Sequence, residues 1–198
     1  MKLTRRSKGS RGFSLIELMV VVAIMVVLAG LLIGSLPGIQ TRINRGKVEA
    51  FIAELESGLS RYQIDNGAYP QNPPTGTSAD ARDSSGIEGA KVLYKHLSGD
   101  WGETGSAVDE TNKDEKIYVN KLDYEGNKNS KEPRAISIGG AFMVVDSYGN
   151  PIRYLAQPPN ITVDERKTYN PTYDIWSITD ADPISEEEQS RHITNWQN

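Results

Sequence analysis

From Phe13 to Leu36 every position is apolar or small except Glu17, a run of 24 residues. As a helix this run would rise about 36 Å, more than a hydrocarbon core of about 30 Å. The pattern therefore predicts a helix made for lipid or for a bundle of sister helices. Beyond Pro37 and Gly38 the periodicity changes. Ile39, Ile43, Val48, Phe51, Ile52, Leu55, Leu59 and Tyr62 recur mostly at spacings of three to five, and Arg42, Arg45, Lys47, Glu49, Glu54, Glu56 and Arg61 fill the other faces. That is the signature of an amphipathic helix with one buried stripe. Two readings follow from Pro37: one rod from Phe13 to about Tyr62, some 75 Å long, or a separate soluble helix after a broken linker. Asp65-Asn66-Gly67-Ala68-Tyr69-Pro70 ends the helical pattern, because Asn and Gly accept positive φ and Pro cannot extend a helix.

The remainder is mixed. Residues 71–85, rich in Pro, Thr, Ser, Asp and Gly, read as an exposed loop, and Ile87, Val92, Leu93, Tyr94 and Leu97 fit one face of a short helix. The stretch 99–134 is polar, with a short strand expected near Ile117 to Val119 and loop elsewhere, either a binding surface or a mobile segment. The C-terminal third reads as strands: Ala135–Ile138, Phe142–Val145 and Ile152–Leu155, with Tyr173–Ser177 further on. Gly139-Gly140 separates the first two, and Asp146-Ser147-Tyr148-Gly149-Asn150-Pro151 demands a tight turn before the third. The expected class is α+β: a long N-terminal helix packed on a small antiparallel sheet.

Glu17 is the chemical anomaly, since an unpaired carboxylate in hydrocarbon costs several kcal/mol. Upstream, Lys2, Arg5, Arg6, Lys8 and Arg11 form a basic leader without an acid, which holds a segment's start on the cytoplasmic side. A cut after Gly12 would give Phe13 a new α-amine about 6 Å from Glu17 along a helix, so the carboxylate could neutralise its own terminus or a neighbour's. An ordinary secretory signal has an apolar core of only about 7–15 residues and no charge within it. Basic leader, Gly12, Phe13 and then Ser14-Leu15-Ile16-Glu17-Leu18 resemble the class III signal of type IV pilins and pseudopilins. The resemblance implies cleavage between Gly12 and Phe13 by a prepilin peptidase, methylation of the new amine, and a role for Glu17 in setting subunit register.

The likeness extends along the chain. Tyr62, Asp65, Asn66, Tyr69 and Pro70, the Asp146 to Pro151 turn, Tyr173-Asp174-Ile175-Trp176-Ser177 and His192-Ile193-Thr194-Asn195-Trp196 are similar, in order, to elements of the major pseudopilins of type II secretion. It implies a cleaved leader 1–12, an assembly helix 13–36, an amphipathic continuation 37–64 and a periplasmic head 65–198. It also implies a homopolymer built through the N-terminal helix, working with minor pseudopilins and an inner-membrane assembly platform, the subunit starting as a single-pass inner-membrane protein. That family binds calcium in the loop before the chain end, which would fall on Asp180 and Asp182; here Thr179, Ala181 and Asp182 depart from its pattern. Calcium takes six to eight oxygens, and acidic runs such as Glu186 to Glu188 are most often solvated surface.

Composition narrows the function. The chain has 198 residues, and without the leader 186 remain, room for one anchor helix and one modest head. Net charge is −4, and loss of five leader cations leaves the mature chain near −9, with no further basic cluster to suggest nucleic-acid binding. There is no cysteine, so no disulfide braces an extracytoplasmic head, a feature that leans toward secretion pseudopilins over adhesive pilins. His96 and His192 have no Cys partner, and no phosphate loop or nucleophile elbow occurs, so no enzyme is expected. A pilus or competence pilin is the nearest alternative. A membrane-anchored binding module or hydrolase is the alternative of another class.

Overall fold

A computed structural model describes residues 12–73, 87–107, 115–159, 167–179 and 191–196, with backbone alone for 32–38. The first element, α1 (Leu15–Asn66), is one helix of 52 residues. Its backbone stays helical through Pro37 and Gly38, so the single-helix reading holds over the broken-linker one. The missing Pro N–H costs about 3 kcal/mol in a helix interior, which the long helical runs on either side offset. Gly67, at φ 79°, closes the helix by donating its N–H to the Gln63 carbonyl at 2.8 Å, the left-handed C-terminal glycine its sequence predicts.

Two compact units divide the chain, Met1–Arg42 and Ile43–Asn198. The second owns the core. Val48, Phe51, Ile52, Leu55, Leu59 and Tyr62 line the buried stripe of α1. They join Val92, Leu93, Tyr94 and Leu97 of α2 (Ile87–Leu97) and the inward faces of the strands. Gly89 lets α2 lie directly on a strand backbone: a Cβ there would stand 2.5 Å from the Tyr154 carbonyl oxygen and 2.6 Å from its nitrogen. Ile39 and Ile43, expected on the buried stripe, are about half exposed.

Among the described residues five strands form two antiparallel sheets. In the first, β1 (Ala135–Ile138) pairs with β2 (Ala141–Val144), Ala135 opposite Val144 and Ile138 opposite Ala141. Gly139 and Gly140 connect them at φ 60° and 84°. Two central residues with positive φ make a turn whose twist matches that of paired strands. In the second sheet β4 (Tyr173–Ser177) lies between β3 (Arg153–Ala156) and β5 (Ile193–Thr194). Every residue of β4 is buried, as a central strand covered on both faces requires. Among the described residues the edge of β3 away from β4 is met by the Asn72 side chain, which donates Nδ2–H to the Tyr154 carbonyl at 3.1 Å and accepts the Ala156 N–H at 2.8 Å.

The polar insert differs from its sequence reading. No strand forms at Ile117 to Val119, because the Tyr118 and Val119 N–H groups both go to the Leu97 carbonyl, at 3.0 and 2.9 Å. A 3-10 turn, Asn120–Leu122, and one helical turn, α3 (Tyr124–Asn127), follow. Val119 and Leu122 are core residues. Lys116 pairs with Asp65 at 2.5 Å and Lys121 with Glu54 at 2.7 Å, and Arg61 donates to the Tyr118 carbonyl at 2.5 Å. The 115–134 portion is therefore held against the second half of α1. Residues 108–114 lie outside the described residues.

Candidate functional site

The sequence places the chemistry at the start of α1, and the local geometry is a helix cap. Ser14 precedes the first helical residue. Its Oγ accepts the Ile16 N–H at 3.3 Å, and its own N–H donates to Glu17 Oε2 at 2.8 Å. This is the reciprocal arrangement of a capping box, in which Ser and a Glu three residues later satisfy orphan N–H groups at a helix start. A carboxylate in the first turn also opposes the positive end of the helix dipole. Glu17 thus has a partner within its own chain. The sequence reading missed Ser14, although Ser-x-x-Glu before an apolar run carries the signal.

Around this cap the surface is apolar. Every large hydrophobic residue from Phe13 through Leu31 is exposed, at 46 to 87 % of full accessibility. Burial of such side chains stabilises by about 1.5–3 kcal/mol each, so the row is built to be covered by something outside the chain. Gly12 and Phe13, the cleavage pair read from sequence, are exposed and sit just ahead of the cap. Among the described residues no helix is long and apolar enough to cross a membrane; the side chains of 32–38, which continue the run in sequence, are outside them.

The second sequence-predicted site is only partly visible. Asp180 and Asp182, the expected calcium ligands, lie outside the described residues. The strand end before them is tied into the Asp146 turn. Asp146 Oδ1 accepts the Tyr148 and Asn150 N–H groups at 2.8 and 2.9 Å, Ser177 Oγ donates to Asp146 Oδ2 at 2.5 Å, and the Asn150 amide donates to the Thr179 carbonyl. Burial pushes the Asp146 carboxyl up from its ordinary range, and the Ser177 hydrogen bond counteracts it. Thr179, at φ 57°, is fully buried. Ser177 and Thr179 oxygens are thus already engaged in protein hydrogen bonds. Among the described residues no group of three or more His, Cys, Asp or Glu is placed to hold a metal ion.

His96, read as surface or half-buried, is half-buried on α2. Its Nδ1 lies 3.1 Å from Tyr62 Oη, and its ring meets Trp101 edge-on at 4.7 Å. Burial, with the nearby Lys95 charge second, lowers its pKa to about 4, so it is neutral at pH 7.

Comparison with known proteins matches the same end of the chain. The family described as the prokaryotic N-terminal methylation motif covers residues 7–33. Type II secretion system core protein G of Klebsiella michiganensis is 45 % identical over 65 residues, 33 % of this chain and 46 % of that protein. The protein of the same name from Escherichia coli is 39 % identical over 66 residues, covering 33 % and 46 %. A type IV wide pilus major component of Thermus thermophilus is 38 % identical over 65 residues, 33 % of this chain and 50 % of that one. The chain spans about half the length of the curated relatives it matches. No solved structure matches. With its long helix before a small antiparallel sheet region, this chain has the pilin-like α+β arrangement; it carries the prokaryotic N-terminal methylation motif, and over its N-terminal third it is similar to type II secretion core proteins G and to a type IV pilus component.

Proposed function

We propose that the protein is a structural pseudopilin subunit, polymerising into the periplasmic filament of a type II secretion system. The observation that carries this reading is the row of exposed apolar side chains from Phe13 to Leu31, with Glu17 its one ionisable residue, inside the matched methylation motif. In this reading a prepilin peptidase cuts between Gly12 and Phe13 and methylates the Phe13 amine. The subunit waits in the inner membrane, its head in the periplasm. Assembly then exchanges lipid for sister helices along the apolar row.

The mechanism rests on Glu17. In the free subunit its carboxylate receives the Ser14 N–H. In the filament it would face the N-methylated amine of a neighbour, and a charge-assisted contact is about twice as strong as a neutral one in a low-dielectric interior. Any register that left carboxylate and amine apart would bury two unpaired charges, at several kcal/mol, and one stagger between subunits is selected. No catalytic group is assigned. The self-association, the peptidase, the minor pseudopilins and the assembly platform are partners in this proposal. Calcium in the loop holding Asp180 and Asp182 belongs to it as well; no step of assembly is routed through the ion.

A pilus subunit is the second reading, favoured by the similarity to the wide pilus component. Mass spectrometry of the N-terminus from membranes tests the core of both. A chain beginning at N-methylated Phe13, with assembly lost in Glu17→Val, is expected. A chain retaining Met1, or one cut near Ala29, overturns the proposal.

A further inference from the structure

Asn66 is the one asparagine of the chain that is followed by glycine. Such a dipeptide carries its own reagents. A backbone nitrogen can attack the carboxamide carbon of the asparagine before it, and glycine, with no side chain, hinders that attack least. Asn72, Asn150 and Asn170 precede proline, whose nitrogen has no hydrogen to lose and cannot react in this way. The Asn66-Gly67 pair stands at the end of α1: Asn66 is its last residue, and Gly67 caps it at φ 79°. Both residues are exposed to water.

Hydrogen bonds hold the reacting atoms apart. The Gly67 N–H donates to the Gln63 carbonyl at 2.8 Å, so the nucleophile is engaged in the cap. Asn66 Nδ2, the leaving group, donates to the Tyr62 carbonyl at 2.9 Å and to Tyr118 Oη at 3.2 Å. Tyr118 is itself hydrogen-bonded to the Asp65 carboxylate, which also receives Lys116 at 2.5 Å. Tyr118 and Lys116 belong to the polar insert, so the insert fastens the amide. Ring closure needs the Gly67 nitrogen to turn from Gln63 toward Asn66 Cγ, and local opening of this kind takes least free energy at the end of an element.

We propose that Asn66-Gly67 is a self-modification site, with water as co-reactant and the insert as its brake. When the last turn of α1 opens, Gly67 N bonds to Asn66 Cγ and the Cγ–Nδ2 bond breaks. The Gly67 proton passes by way of solvent to the departing Nδ2, which leaves as ammonia. The succinimide so formed takes up water. Opening at Cγ yields aspartate, and opening at the main-chain carbonyl yields isoaspartate. Either product sets a carboxylate, which only accepts hydrogen bonds, against the Tyr62 carbonyl and beside Asp65. Isoaspartate also lengthens the main chain by one carbon and breaks the Gly67 to Gln63 cap. The product loosens the insert from the end of α1, and the head keeps a chemical record of how often that end has opened.

The full chain is incubated at neutral pH in micelles, folded or in urea, and its peptides are read by mass spectrometry with fragmentation that separates aspartate from isoaspartate. In the folded chain conversion should come first at Asn66. It should be slower than in urea by the factor by which hydrogen exchange at the Gly67 amide is slowed. Tyr118→Phe removes one bond from the leaving amide and should speed the folded-state reaction about fivefold, with the rate in urea unchanged. Asn66→Asp, one product made outright, should lower the melting temperature of the head. First conversion at another asparagine of the folded chain overturns the proposal, as does a folded-state rate untouched by Tyr118→Phe. If Tyr118→Phe unfolds the head, the parent alone decides: a mismatch between slowed conversion and slowed Gly67 exchange overturns the gating by the helix end. A parental melting temperature in Asn66→Asp overturns the loosening. None of these outcomes depends on filament assembly, so failure here leaves the reading above untouched.

Discussion

Glu17 has two partners competing for one carboxylate, the Ser14 N–H within the chain and, in the proposed filament, a neighbour's amine. The competition makes Ser14 the residue to change first. Ser14→Ala deletes the oxygen that accepts the Ile16 N–H and should cost the helix start about 0.5–2 kcal/mol. Hydrogen exchange at the amides of Ile16 to Leu18 in micelles reads this directly, and protection equal to that of the parent would refute the cap. His96 makes a second prediction at this scale. Its folded pKa of about 4 lies below the unfolded value of about 6.5. The unfolded chain therefore binds the extra proton first as pH falls, and stability that is complete above pH 6.5 is lost down to about pH 4. Because the ring is partly exposed, the loss should be about 1–2 kcal/mol. Thermal melts at pH 7 and pH 4.5 should differ by less in His96→Gln than in the parent.

Secondary structure followed the sequence wherever a period ran long enough. The stripe from Val48 to Tyr62 and the helix from Ile87 both appear on apolar spacing alone, and β1 and β4 have the bounds that their β-branched and aromatic runs suggest. Ile117 to Val119 misled because three apolar residues in a row cannot say where their N–H groups go. Here two of them share one carbonyl at the end of α2, which bends the chain away from any ladder. The insert's attachment to α1 was equally hidden, since Lys47, Lys116 and Lys121 find their carboxylates 51 to 85 residues away. Exposed pairs of this kind contribute about 0–1 kcal/mol each, and burial of Val119 and Leu122 does most of the holding. The β1–β2 turn was legible from Gly139-Gly140. Gly140→Val places a β-branched residue at φ 84° and should lower stability by about 1–2 kcal/mol, seen as a lower melting temperature with the helical signal of α1 retained. An unchanged melting temperature would mean that the turn adapts without strain.

On the scale of the whole chain, two apolar surfaces have different destinations. One is closed within the unit that starts at Ile43; the other, from Phe13 to Leu31, is open. Truncations should separate them. Leu55→Ala opens a cavity in the closed core and should cost about 2–5 kcal/mol, measured as loss of head stability in denaturant. Val22→Ala should leave that stability within about 0.5 kcal/mol while reducing filament yield in sedimentation. If both variants lost head stability alike, the open row would have an intramolecular role. The candidate site was legible at Gly12, Phe13 and Glu17 because one charge in an apolar run is conspicuous. Ser14 escaped notice because its contribution is local geometry.

The side chain of Asn72 has a consequence for how such a molecule avoids the wrong kind of polymer. A short strand with a bare backbone edge invites a neighbour's strand to add to it, and heads crowded at high local density would zip into cross-β aggregates. By offering its own carbonyl and amino group to Ala156 and Tyr154, the amide acts as a one-residue false strand that fills the vacancy. Strand addition at this edge is thereby opposed, and the apolar row of the helix is left as the surface offered for the proposed polymer.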